Sequence, residues 1–200
     1  YTEAKKICIT GSNGKTTTTM LLYHIFKSAG LEVCFAGNVG KSLARQVATS
    51  EPEFFIIELS SFQLDDLKDF RADISILLNI TPDHLDRYDN NLSLYADSKM
   101  RITNNQKTSD WFIYNADDPI ISEKISKLHL PMQMASFSIK SAQELGGYSI
   151  SDQLIINIKE QLSMSIHDLA LKGKHNTQNS LAAGIAARIV EIRKDIVRQS

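Results

Sequence analysis

A short glycine-flanked segment near the start of the chain has the residue types that bind phosphate. It reads Gly11-Ser12-Asn13-Gly14-Lys15-Thr16-Thr17 and joins an apolar run to a helical pattern. Glycine permits backbone angles that turn consecutive N–H groups toward an anion, and the positive end of the next helix adds to that attraction. We expect Lys15 to contact the outer phosphates of a nucleotide and the Thr16 hydroxyl to bind Mg²⁺. The spacing is two residues shorter than G-x-x-x-x-G-K-[ST], so this is a variant, and a turn without a ligand is the alternative.

Two further polar groups follow apolar runs that read as strands. Glu58 follows the run 54–57, and His84 lies between two acids in the segment 79–86, which follows the run 74–78. Ligands of open α/β sheets collect beyond the carboxyl ends of the strands. Glu58 could therefore meet the Mg²⁺ of a nucleotide, or it could be a surface carboxylate. His84 could be a metal ligand supported by its acidic neighbours, or part of a capped loop.

Each of the other polar motifs has an interpretation that needs no ligand. Gly37-Asn38-Val39-Gly40 follows the second apolar run and could be a plain connector. Lys99 lies in a helical pattern, and its surroundings in the sequence favour a solvated lysine. Asn176 and Asn179 are spaced to share one helix face, where they could contact an amide edge such as adenine or could cap the helix.

The elements that must position these residues alternate between strand and helix. The predicted strands cover 7–9, 31–36, 54–57, 74–78, 111–114 and 134–139, and the predicted helices cover 16–29, 42–48, 92–102, 120–128 and 180–190. Apolar and polar residues then alternate over 148–158 and 162–166, which predicts an antiparallel hairpin. We therefore predict an α/β fold, a mostly parallel sheet with helices on both faces and a small antiparallel hairpin, as one domain over residues 1–190.

Composition restricts the class of protein. The 200 residues are 42% hydrophobic and 22% charged with a net charge of −1, which suits one globular core and gives no nucleic-acid footprint. No apolar run is long enough for a membrane span and no signal peptide is visible, so we expect a cytoplasmic protein without a membrane partner. Cys8 and Cys34 lie in apolar runs and are expected to be free and buried. Because the sequence begins at Tyr1 rather than Met, we expect it to come from a longer protein.

Six ordered motifs together resemble the Mur ligase family, and the resemblance covers nearly the whole chain. The motifs are the shortened phosphate loop, the turn 37–40, Glu58-Leu59-Ser60-Ser61-Phe62-Gln63-Leu64, and the segments 79–88, 95–102 and 173–179. The resemblance implies that residues 1–190 are the family's central ATP-binding domain and that its N- and C-terminal domains are absent. Residues 191–200 would begin the segment that leads to the C-terminal domain. The run Ser-Ser-Phe-Gln-Leu points to the family member that adds D-glutamate to a peptidoglycan precursor.

The resemblance also implies a role for each charged residue of the motifs. Lys15 would hold the β- and γ-phosphates of ATP, and Thr16 with Glu58 would bind a first Mg²⁺. His84 would bind a second Mg²⁺. Lys99 would be carbamylated by CO₂, which supplies the carboxylate-like oxygens that Mg²⁺ prefers.

The remaining motif residues would bind organic substrates. By the resemblance, Asn38, Ser61 and Gln63 would face UDP-N-acetylmuramoyl-L-alanine, while Asn176 and Asn179 would hold adenine. ATP would phosphorylate the alanine carboxylate, and the amine of D-glutamate would then attack the acyl phosphate. Charge neutralisation and positioning are what phosphoryl transfer requires of a protein.

Three alternatives stay open. A sibling Mur ligase or folylpolyglutamate synthase would share most of these motifs. A P-loop kinase would leave the motifs around His84 and Lys99 without a role, and a GTPase would need N-K-x-D where this chain has Asn115-Ala116-Asp117-Asp118. A non-catalytic nucleotide-binding module is the last alternative.

Overall fold

The computed structural model describes residues 2–169 and 172–200, and a mixed sheet runs through the middle of the molecule. Its strands are β1 (Lys5–Thr10), β2 (Val33–Gly37), β3 (Phe54–Glu58), β4 (Ile74–Leu77), β5 (Trp111–Asn115), β6 (Gln133–Ser138), β7 (Gly146–Ile150), β8 (Gln153–Asn157) and β9 (Leu162–Ser165). The helices are α1 (Lys15–Ser28), α2 (Leu43–Thr49), α3 (Ser61–Asp66), α4 (Leu92–Met100), α5 (Pro119–Ser126), α6 (Lys174–Ile189) and α7 (Lys194–Gln199). The predicted α/β class is confirmed.

The strand order brings three strand ends together. The sheet runs β2-β3-β1-β4-β5-β6-β7-β8-β9, with parallel pairing from β2 to β7 and antiparallel pairing among β7, β8 and β9. After β1 the chain moves to β2 at the sheet edge, returns through β3, and then crosses to β4 on the other side of β1. Ligands of such sheets bind at this change of direction, beyond the carboxyl ends of the strands. The ends of β3, β1 and β4 therefore define where a site should lie.

Alternate residues of the central strands supply the cores on the two faces of the sheet. Ile7 and Ile9 of β1 point into a core shared with α1 and α6, where Phe26 and Ile185 are wholly buried. Cys8 points to the opposite face, into a second core beside α3. Strands covered on both faces need apolar side chains at every position, which explains the continuous apolar runs in the sequence.

The antiparallel part of the sheet differs from the prediction. The alternating stretch 148–158 forms two strands, β7 and β8, so β9 completes a three-stranded antiparallel unit in place of a two-stranded hairpin. Ser151 and Asp152 make the turn with φ of 47° and 61°. Two consecutive residues with positive φ give the tight turn that matches strand twist, but the sequence lacks the glycine that usually marks it.

The helix boundaries contain further differences. Helix α6 begins at Lys174, six residues before the predicted start, and α3 and α7 were not predicted. Helix α7 packs on α1 and α6, with Val197 in their shared core. Both cysteines are free as expected, but only Cys8 is fully buried, because Cys34 is partly buried near Ser50. Within the described residues, none of the helices has the length and apolar character needed to cross a bilayer.

Candidate active site

The phosphate-binding segment forms a loop between β1 and α1 that is closed by its own lysine. Lys15 Nζ donates hydrogen bonds to the carbonyl oxygens of Gly11 and Ser12, at 2.9 and 3.0 Å. Gly14 precedes the first turn of α1 with a φ of +85°, a conformation that favours glycine. The loop therefore presents an ammonium group beside the amino end of a helix, an arrangement suited to an anion.

The loop is joined to the segment that follows β4. Asn79 is paired with Asn13 in both directions: its Oδ1 accepts from the Asn13 N–H at 2.8 Å, and its Nδ2 donates to the Asn13 carbonyl at 3.0 Å. Ser12 Oγ donates to the Thr81 carbonyl and accepts from the Thr81 N–H, both at 2.9 Å. These four bonds fix the segment that carries His84 directly onto the phosphate loop.

Glu58, at the carboxyl end of β3, is a buried carboxylate with neutral partners. It is 1% exposed, and it accepts hydrogen bonds from Thr16 Oγ1 at 2.8 Å and from Asn38 Nδ2 at 3.2 Å. The surface interpretation of Glu58 is therefore wrong. A buried negative charge is costly without a cation or a full set of donors, so Glu58 and Thr16 fit a hard cation such as Mg²⁺.

The turn after β2 is part of this arrangement and more than a connector. A Cβ added to Gly37 would lie 2.1 Å from the carbonyl oxygen of Glu58, so only glycine lets the two strand ends approach this closely. That approach places Asn38 against the Glu58 carboxylate.

Lys99 is buried at the centre of the site. It is 1% exposed, and its Nζ donates to the Gly11 carbonyl at 3.0 Å, the same oxygen that accepts from Lys15. Burial lowers the pKa of Lys99 to about 7; the nearby charge of Lys15 lowers it further, and Asp83 opposes the shift. The solvated-lysine interpretation is therefore wrong. An amine with such a pKa is substantially neutral, and so nucleophilic, at physiological pH.

Tyr95 is a site residue that sequence reasoning missed. Its hydroxyl lies 3.2 Å from Ser12 Oγ, and its ring centroid lies 4.5 Å from Lys99 Nζ. Tyr95 thus connects the helix that carries Lys99 to the phosphate loop. The available signal was the four-residue spacing of Tyr95 and Lys99, which places both on one face of α4.

His84 lies at the exposed edge of the site. Its side chain is 62% exposed, its Nε2 is 3.6 Å from Asp83 Oδ1, and its ring packs edge-on against Phe62. Over residues 2–169 and 172–200, no group of three or more His, Cys, Asp or Glu side chains forms a ready metal site. A second metal at His84 stays a prediction.

The residues predicted to contact the second substrate occupy different surroundings. Asn38 is exposed beside Glu58, whereas Ser61 is buried and its carbonyl accepts from Ser98 Oγ at 2.9 Å. Gln63 is exposed, but its Oε1 accepts from the Ser60 N–H at 2.9 Å in a capping box at the start of α3. Substrate contact by these three residues stays a prediction.

Of the two asparagines of α6, Asn179 lies beside the phosphate loop. A Cβ added to Gly14 would lie 2.5 Å from Asn179 Oδ1, so Asn179 packs directly on the loop backbone. Asn176 Nδ2 donates to the Lys172 carbonyl at 2.9 Å, and Gly173 occupies the N-cap of α6. The alternative that these asparagines cap the helix is therefore wrong, and the contact of Asn179 with the loop agrees with a nucleotide site.

The lowered pKa of Lys99 gives a test that needs no ligand. The pKa falls from its ordinary 10.5 to about 7 on folding, so the unfolded chain binds more protons between these values. Stability should therefore rise with pH in this window, by up to ~1.4 kcal/mol per unit, and Lys99→Met should lose this slope. Urea unfolding at pH 7 and pH 9 should show a larger stability advantage of the variant at pH 7. Lys27→Met, at an exposed position of α1, is the control. If Lys99→Met changed the free energy of unfolding by the same amount at both pH values, the buried amine would be contradicted.

Comparison with known proteins agrees with this geometry. The Mur ligase middle domain model matches residues 9–187. UDP-N-acetylmuramoylalanine–D-glutamate ligase of Bacteroides fragilis is 52% identical over 200 residues, which are 100% of this chain and 45% of that protein. The protein of the same name from Porphyromonas gingivalis is 49% identical over 204 residues, with the same coverage of 100% and 45%. The chain thus spans about half the length of the curated relatives it matches.

Solved structures share the fold at low sequence identity. A UDP-N-acetylmuramoyl-L-alanyl-D-glutamate–2,6-diaminopimelate ligase superposes with a TM-score of 0.75 at 22% identity, over 97% of this chain and 45% of that one. The MurF ligase of Thermotoga maritima, solved in complex with ADP, superposes with a TM-score of 0.73 at 18% identity, over 99% and 48%.

Proposed function

The chain belongs to the Mur ligase family through its middle domain, and from this premise we propose that it is the ATP-binding part of an enzyme that adds D-glutamate to UDP-N-acetylmuramoyl-L-alanine. The names of its relatives at 49–52% identity support this substrate pair. The observation that carries the proposal is the meeting of two lysines, Lys15 and Lys99, at one carbonyl of the phosphate loop, beside a buried carboxylate. The reaction would belong to peptidoglycan precursor synthesis.

The nucleotide would bind across the phosphate loop. Lys15 would exchange its carbonyl partners for phosphate oxygens, and Asn176 and Asn179 would hold the adenine end. Thr16 and Glu58 would hold Mg²⁺, which neutralises negative charge that develops on the phosphates during transfer.

Lys99 would supply a further anion to the site. As a neutral amine it can attack CO₂: an N–C bond forms, the electron pair of one C=O π bond moves to oxygen, and one proton passes from the nitrogen to water. The product is a carbamate anion. The charge of the side chain changes from neutral to negative, and its oxygens would then support a second Mg²⁺ together with His84.

Ligation would proceed in two displacements. An oxygen of the alanine carboxylate attacks the γ-phosphorus of ATP and ADP leaves, which gives an acyl phosphate. The D-glutamate amine then attacks the acyl carbon, and phosphate leaves as the amide forms. Asn38, Ser61 and Gln63 would orient the muramoyl-alanine end, and correct placement of the reactants can supply roughly 7–11 kcal/mol of barrier lowering.

An acceptor panel tests the substrate assignment. The full-length protein that carries this sequence is incubated with Mg²⁺-ATP and UDP-N-acetylmuramoyl-L-alanine, and with D-glutamate, L-glutamate or meso-diaminopimelate. We expect phosphate release and product with D-glutamate alone. Turnover only with another acceptor would identify a sibling ligase, and phosphorylation of a hydroxyl substrate would identify a kinase.

We expect this chain to fold by itself but not to catalyse ligation. A 200-residue domain buries about 70% of the surface of its unfolded chain, and the core extends from β1 to α7. Binding of two of the three substrates, UDP-N-acetylmuramoyl-L-alanine and D-glutamate, would depend on the portions of the relatives that this chain does not cover. Cooperative unfolding without D-glutamate-dependent turnover is the expected result, while turnover near that of the full-length protein would show that this domain suffices.

A further inference from the structure

A buried aspartate outside the motifs above, Asp118, connects the start of α5 to the segment that carries His84. Asp118 is 8% exposed and occupies the N-cap of α5. Its Oδ1 accepts hydrogen bonds from the N–H groups of Ile120 and Ile121, at 3.0 and 3.1 Å. Its Oδ2 accepts a third bond, from the N–H of Ile80 at 2.7 Å. One carboxylate therefore caps a helix and also holds the neighbouring loop.

Ile80 lies at the middle of a segment that is held from two sides. On one side, the Asn79 carbonyl and the Thr81 N–H are bonded to Ser12 of the phosphate loop. On the other side, Asp118 holds the Ile80 N–H. Beyond this segment residues 81–84 are exposed, and the His84 ring packs edge-on against Phe62. The direction in which the chain leaves residues 79–81 therefore contributes, together with that contact, to where His84 lies.

The helix cap alone does not require an aspartate. Serine, threonine and asparagine cap helices about as well as aspartate, because one side-chain oxygen is enough. The second oxygen of Asp118, Oδ2, lies outside α5, where it accepts the buried hydrogen bond from the Ile80 N–H in the segment that follows β4. The choice of a carboxylate is explained by the loop contact.

We propose that Asp118 is a positioning residue, which sets the place of His84 relative to the phosphate loop by holding the Ile80 amide. The inference rests on the proposed function, in which His84 contributes to a second Mg²⁺ site. Asp118 would act through the backbone of residues 79–81, by its bond to the Ile80 N–H, rather than by contact with nucleotide or metal.

The chain offers a matched control one residue away. Asp117 is also an anchor, since it accepts hydrogen bonds from Ser138 Oγ at 2.6 Å and from the Ile139 N–H at 2.7 Å. It holds the end of β6, which carries none of the predicted site residues. Asp118→Ser removes the hydrogen bond to the Ile80 N–H but keeps a helix-capping oxygen. Asp117→Ser removes the carboxylate that accepts from the Ile139 N–H at the end of β6.

The kinetic test uses the full-length protein. We expect Asp118→Ser to lower kcat about 10- to 100-fold, because a displacement near 1 Å has effects of this size. It should change the KM for ATP by no more than about threefold, and it should raise the Mg²⁺ concentration needed for half-maximal rate. The control variant Asp117→Ser should change kcat, KM and this Mg²⁺ concentration by no more than about threefold. Asp118→Asn is a second variant for the same test, should the serine variant fold poorly. It has nearly the shape of aspartate and keeps one oxygen for the helix cap, but it replaces the oxygen that accepts from the Ile80 N–H.

Amide hydrogen exchange tests the anchor independently of turnover. In the same full-length proteins, Asp118→Ser should speed exchange of the Ile80 amide about tenfold or more, while Ile139 stays protected. Unchanged Ile80 exchange, or faster exchange with wild-type kcat and Mg²⁺ dependence, would overturn the positioning role and leave the proposed function intact. A wild-type protein without D-glutamate-dependent turnover would overturn the proposed function, and the exchange result would still decide whether Asp118 anchors the loop.

Discussion

Replacing Lys15 by alanine should strongly weaken productive ATP binding while the protein stays folded. Lys15 is partly exposed and its ammonium group contacts loop carbonyls, so little packing is lost. Its ammonium group is the positive charge that the loop itself would supply to the phosphates in the proposed complex. Loss of one such preorganised donor costs roughly 10²–10³-fold in kcat, and loss of a charged hydrogen bond weakens binding by about 1.5–3 kcal/mol.

The measurement for Lys15 is calorimetry with Mg²⁺-ATP, followed by turnover in the full-length protein. Lys27→Ala is the control, because Lys27 is exposed in the last turn of the same helix. Lys15→Ala with wild-type ATP affinity and an unchanged melting temperature would show that the loop does not bind phosphate.

Replacing Lys99 by alanine should remove most ligation activity, by about 10²-fold or more, because the proposed carbamate, and with it a charged group that would support the second Mg²⁺, cannot form. The side chain is buried, contacts the Gly11 carbonyl, and lies over the Tyr95 ring. Its alanine variant leaves a polar cavity in which a small carboxylate could take the place of the proposed carbamate.

Rescue by added carboxylate separates this role from a structural one. We expect acetate or formate to restore part of the activity of Lys99→Ala and none of that of Lys15→Ala, because the latter lacks a cation. Lys99→Met, which keeps the packing volume without an amine, should be as inactive as Lys99→Ala. Full activity of either Lys99 variant without additive would contradict a functional role for this amine.

The placement of candidate residues at the strand ends could be predicted because the motif is encoded locally. Two glycines, a lysine and a threonine between an apolar run and a helical pattern indicate a phosphate loop before any tertiary contact is known. Glu58 was predicted at the carboxyl end of a fully apolar strand, and the parallel topology alone brings it to Thr16.

The environment of Lys99 could not be predicted, because it depends on which face of α4 the rest of the protein covers. Tyr95, Ala96 and Met100 are buried with Lys99, yet the helix has little contrast between apolar and polar faces in sequence. The same limit hid Asp118, whose third hydrogen bond joins residues that are distant along the chain.

The most direct test follows an oxygen atom from the carboxylate substrate. The full-length protein is given Mg²⁺-ATP, D-glutamate and UDP-N-acetylmuramoyl-L-alanine labelled with ¹⁸O in the alanine carboxylate, and the released phosphate is analysed by mass. Attack of that carboxylate on the γ-phosphorus predicts one labelled oxygen in each inorganic phosphate, together with ADP and the D-glutamyl product. Unlabelled phosphate, or label recovered in AMP, would contradict the assignment of this site to ligation through an acyl phosphate.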